Sequence, residues 1–114
     1  MSSAPIRLDY LLSVFGDDRE FFSDLFKTYY EDNSTRMDEL QSKMNTNDAE
    51  AIEKIAHSIK GASGNIGADA MKEFAAELEK MGRESQLNEA PSIIESMTNE
   101  FEKIRSYIDS YLKS

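Results

Sequence analysis

His57 is the only histidine of the chain, and it stands in the stretch IAHSIKGASGNIG, residues 55–67, followed by Lys60, Gly61 and Gly64. An imidazole can ligate a metal, relay a proton or attack an electrophile. A zinc site is short of ligands, because the chain has no second histidine and no cysteine. On a helix turning about 100° per residue, Ile52, Ile55, Ala56, Ile59, Ser63 and Ile66 fall into one arc, the expected buried face. His57 lies roughly 150° from the middle of that arc on the same arithmetic, with Glu53, Lys60, Gly61 and Gly64 as its wheel neighbours. Its ring is therefore predicted to project into solvent. Ser63 belongs to the buried arc and Ser58 faces elsewhere, so a serine–histidine couple lacks its geometry.

What remains is a nucleophilic imidazole. A histidine of ordinary pKa, about 6.5, is mostly neutral near pH 7 and so keeps a lone pair for attack. Helical side chains lean toward the N-terminus, so the residue four positions on would cover the ring. Gly61 occupies that position, and Gly64 continues the bare strip. Each interior glycine costs a helix about 1 kcal/mol against alanine, a cost that open approach to the ring accounts for. Lys60, three residues on, is placed to neutralise an anion carried on the imidazole. Glu53, one turn earlier, is either the acceptor that holds Nδ1–H and turns Nε2 outward or a solvated glutamate.

The elements that position this face are all helical. A short first helix is predicted from about Leu8 to Val14, stopped by Gly16, and a long second one runs nearly to Met44. Its expected cap is Asp17, with Glu20 three residues on, and Asn47 with Glu50 repeats the pattern before the histidine helix. Gly67 closes that third helix. A fourth helix spans about Asp69 to Arg83, and a fifth begins near Asn88, its expected cap, with Pro91 in the first turn. Methionines and aromatics fall on the inward stripes of these helices and read as core filling. The fold class is accordingly all-α: an antiparallel four-helix bundle with a short additional N-terminal helix, as one domain over residues 1–114.

Composition narrows the function classes. The 114 residues carry a formal charge of −9, which opposes binding to nucleic acid or to anionic membrane surfaces. No apolar run approaches the roughly 20 residues of a membrane span. The MSSAPIRLD start has neither the basic opening nor the apolar run of a secretory signal, and with no cysteine a cytoplasmic location is expected. Gly-rich nucleotide loops of the GxxxxGK[ST] or GxGxxG kind are missing, and no pair stands out among the 22 acidic residues.

The run from His57 to Gly67 resembles the signature of histidine-containing phosphotransfer (HPt) domains: histidine, lysine three on, glycine four on, small residues, then an apolar residue and a glycine. The similarity extends over most of the chain, including the Gly16–Phe22 region and the last long helix. The resemblance implies that His57 accepts a phosphoryl group on Nε2 from a receiver-domain phosphoaspartate and passes it to another receiver aspartate. It implies that Lys60 neutralises the phosphoryl oxygens and that Gly61 keeps access open; Gly64 and Glu53 stay supporting candidates on the geometry alone. It also implies a phosphotransfer intermediate and not a kinase, without ATP, metal or cofactor of its own, the Mg²⁺ being held by the receiver. Response-regulator receivers and a hybrid sensor histidine kinase are the implied partners, and a monomer is expected. Histidine-kinase dimerisation helices are a poorer match, because Ser58 follows the histidine and no proline appears between it and Pro91. A helical scaffold whose histidine does no chemistry is the reading of a different class.

Overall fold

The computed structural model describes residues 4–114; the first three residues of the MSSAPIRLD start lie outside the described residues. Five helices follow in order: α1 (Leu8–Phe15), α2 (Arg19–Asn45), α3 (Ala49–Asn65), α4 (Asp69–Arg83) and α5 (Ala90–Lys113). No strand occurs among the described residues. Contacts join α2 to α3, α3 to α4, α4 to α5 and α5 back to α2, which closes the ring of an antiparallel bundle.

The helix boundaries match the expected ones closely, but the caps differ. Asp18, not Asp17, caps α2: its backbone is extended, and its carboxylate accepts from the Phe21 N–H at 3.0 Å. Likewise Asp48, not Asn47, caps α3 through the Ala51 N–H at 3.1 Å. Asn47 instead takes the left-handed turn position, with φ at 51°, a conformation that asparagine tolerates. Asn88 does not cap α5, which starts after Glu89 with no side-chain cap and with Pro91 in its first turn.

The end of α3 is closed as expected by Gly67, at φ 73°. The Gly67 N–H reaches the Gly64 carbonyl and the Ala68 N–H reaches the Ser63 carbonyl, the paired bonds of a Schellman ending. The same glycine seats the N-terminal segment, since the Arg7 N–H donates to the Gly67 carbonyl at 3.0 Å. Arg7 also pairs with Asp69 in the first turn of α4, and Ile6 and Leu11 are buried. The short helix thus sits as a lid over the end of the bundle where α3 turns into α4.

The core between the long helices is apolar, led by Phe22, Phe26, Leu40, Ile52, Ile59, Met71, Leu78, Met97 and Ile104. One buried polar link crosses it: the Tyr29 hydroxyl of α2 lies 2.8 Å from the Ser63 hydroxyl of α3. Burial raises the Tyr29 phenol to about 12, against the opposing pull of its bond to Ser63. Ser63 is thereby occupied inside the bundle, as its wheel position requires.

Candidate functional site

The seam between α3 and α4 builds the site. Gly82 of α4 packs directly on α3: a Cβ there would stand 2.8 Å from the Ala49 carbonyl oxygen and from the Glu53 backbone nitrogen. The two backbones approach this closely because position 82 has no side chain. One to two turns along the antiparallel register, Glu79 faces His57 and Lys60, and farther on Lys72 faces Gly64.

His57 projects outward as predicted, with its side chain 67% exposed. Its Nδ1 lies 2.8 Å from Glu79 Oε2, while Lys60 Nζ lies 2.6 Å from Glu79 Oε1. Glu79 is nearly buried, its side chain 11% exposed, so one carboxylate in the seam holds both the imidazole and the ammonium. The hydrogen bond from Lys60 keeps the Glu79 carboxyl below its ordinary range; burial opposes this and the His57 bond adds to it. An ionised carboxylate can only accept, so for neutral His57 the Nδ1 carries the proton. The Nε2 lone pair is then directed away from Glu79.

Glu53 is not the Nδ1 partner. Its backbone is pressed against Gly82, and the carboxylate that reaches the ring comes from the next helix. The glycine contact that draws α4 onto α3 is also what delivers Glu79 to the imidazole. Gly61 is open as expected, with nothing within 4 Å of where its Cβ would be. Gly64 is different: the Lys72 stem crosses it, with Cδ at 3.5 Å and Nζ at 3.8 Å from the Cβ position. The strip is bare at Gly61 and roofed by a lysine at Gly64. Ser58 bonds the Lys54 carbonyl and Ser63 bonds Tyr29, so neither serine partners the ring.

Sequence reasoning missed Glu79 and Lys72. Glu79 did leave a trace, a carboxylate set within the apolar stripe of Met71, Ala75, Leu78 and Gly82. Lys72 left none, because its place depends on the register of two helices. Among the described residues no group of three or more histidine, cysteine, aspartate or glutamate side chains gathers as a metal site. At the lid end of the bundle, Tyr10, Leu12, Val14 and Phe15 of α1 and Phe21 of α2 remain exposed although apolar. Phe15 and Phe21 pack ring to ring at 5.1 Å, so the α1–α2 junction presents a joined apolar patch.

Two comparisons with known proteins give matches. The family model of the Hpt domain matches residues 24–107. The chain is similar to histidine-containing phosphotransfer protein B (HptB) from Pseudomonas aeruginosa PAO1, at 30% identity and a TM-score of 0.86, with 99% of each chain covered. No curated protein matches the sequence.

Proposed function

The chain belongs to the Hpt-domain family of two-component phosphorelays, and on that premise we propose that His57 Nε2 accepts a phosphoryl group from a receiver phosphoaspartate and returns it to a second receiver aspartate. The observation that carries this reading is the hydrogen bond from His57 Nδ1 to Glu79 on an imidazole that is otherwise open to solvent.

In the forward step the Nε2 lone pair attacks phosphorus. The P–N bond forms as the P–O bond to the receiver aspartate breaks, and the aspartate leaves with that electron pair as a carboxylate. The ring gains positive charge while Nδ1–H stays bonded to Glu79, whose negative charge stabilises the developing imidazolium. Lys60 spends one of its three N–H donors on Glu79, leaving two for phosphoryl oxygens. Transfer onward is the same path reversed. The open backbone at Gly61 lets the acyl phosphate approach along the in-line direction.

The receiver supplies the acidic pocket and the Mg²⁺, and this chain brings neither ATP nor a cofactor. It works as a monomeric intermediate in the cytoplasm, not as a kinase, with receivers and a hybrid sensor histidine kinase as its partners. No helix among the described residues is long and apolar enough to cross a membrane. The exposed apolar patch at the α1–α2 junction lies at the end toward which the His57–Gly61–Gly64 strip runs, and it supplies apolar contact area for docking.

Incubation with a receiver domain charged by acetyl phosphate and Mg²⁺ tests the reading. Acid-labile, alkali-stable phosphate is expected on the wild-type chain and none on His57→Gln. Equal labelling of both proteins, or labelling of neither, would overturn it, the latter in favour of a scaffold.

A further inference from the structure

Lys60 is the cation that sequence spacing places beside His57, yet its ammonium is already held by Glu79. A second ammonium lies on the same strip. Lys72 leaves the first turns of α4, crosses the seam and rests its stem against α3 at Gly64. It is exposed, and among the described residues no carboxylate lies within ion-pair distance of its Nζ. Nearby cations on either side do have partners: Arg7 pairs with Asp69, and Lys60 with Glu79.

Position sharpens the point. Gly64 is seven residues from His57, which is about 10 Å along the helix. Between the two, Gly61 offers only backbone. A receiver that seats its phosphoaspartate on Nε2 finds open backbone at Gly61, and beyond it on the same strip meets the Lys72 side chain at Gly64. The Lys72 ammonium then faces the receiver surface roughly 10 Å of helix from the reacting nitrogen, too far to share the phosphoryl group and near enough to meet the rim. Resting along the seam, the side chain also has less freedom to lose on contact than a lysine extended into water.

We propose that Lys72 is a second cationic contact of the docking surface, engaging a carboxylate on the receiver beside its phosphorylation site, and that it contributes to which receivers the chain serves. This inference rests on the phosphorelay reading above. Rim charges act mainly on encounter and its salt dependence, not on the chemical step.

The test compares wild type, Lys72→Ala, Lys72→Arg and Lys72→Glu in transfer from a receiver charged with acetyl phosphate, at low and high ionic strength. Loss of one exposed ion pair predicts about a threefold rise in KM for Lys72→Ala and on the order of tenfold for the charge reversal. The rise should shrink in high salt, Lys72→Arg should restore wild-type KM, and helix content should not change. Unchanged KM and salt dependence in all three variants, with the wild type transferring, would overturn the Lys72 contact alone. A wild type that accepts no phosphoryl group removes the phosphorelay reading and this inference with it. A fall in saturating rate with KM unmoved would place Lys72 in the chemical step and contradict the docking role.

Discussion

The proposed chemistry rests on one carboxylate with two tenants. Glu79 holds the imidazole at Nδ1 and Lys60 with its other oxygen, so in the proposed transfer the orientation of the nucleophile and the neutralisation of charge would share a single support. Replacing Glu79 with Gln keeps the shape and removes the charge. An amide can also donate to Nδ1 and thereby select the other tautomer. Losing a carboxylate that orients a histidine predicts transfer slowed on the order of tenfold, read as a single-turnover rate from a phosphorylated receiver. The same substitution has a signature in stability. Because the folded-state pKa of Glu79 is lowered, its ionised form stabilises the fold above the ordinary value of 4.5, and that stability is lost as pH falls through the lowered value. Urea unfolding should show wild type above Glu79→Gln at neutral pH, with the gap closing as pH falls below the ordinary carboxylate value and through the lowered one. A gap that is constant across this range would show that Glu79 is not ionised in the seam.

At the level of elements, the contact that matters is α3 on α4, and two glycines play opposite parts. Gly82 is where the backbones touch, and Gly61 is an exposed position of α3 that faces open space beside His57. Gly82→Ala forces a methyl group into two backbone groups at 2.8 Å and should cost about 1–3 kcal/mol as the helices part. Parting them also withdraws Glu79 from His57. Gly61→Ala meets open space and should stabilise the chain by about 1 kcal/mol through helix propensity. Thermal unfolding of the two variants checks the contrast, and a bulky residue at Gly61 should stop transfer in a folded bundle. Equal destabilisation by the two alanines would contradict the packing described here. The caps add a smaller lesson. Sequence patterns located the start of α2 and α3 to within one residue, yet chose Asp17 over Asp18 and Asn47 over Asp48. Both neighbours can cap, and only the chain's entry angle decides which one turns its carboxylate onto the first turn.

Across the whole molecule, the histidine face was legible because the residues that set its direction lie within about four turns of one helix. The apolar arc from Ile52 to Ile66 fixes which side is wet, and the HPt-like run from His57 to Gly67 names the chemistry. The bundle was legible for the same reason, since each helix carries its own stripe and its own stop. What could not be read was the pairing between helices. Glu53 is adjacent to His57 in sequence, while Glu79 is adjacent only after α4 folds back, with Gly82 setting the distance. Lys72 over Gly64 depends on that same register. A carboxylate on an otherwise apolar stripe is the one sign of such a partner that a sequence carries.

The most direct measurement follows from the chain having a single histidine. In a ¹⁵N-labelled sample only one imidazole contributes, so long-range ¹H–¹⁵N correlations report its tautomer and its phosphorylated atom without assignment. Before transfer, the neutral ring should carry its proton on Nδ1 and leave Nε2 bare. After incubation with a phosphorylated receiver, coupling to phosphorus should appear at Nε2. A proton on Nε2 in the free chain, or phosphorus on Nδ1 or on no ring nitrogen at all, would contradict the account.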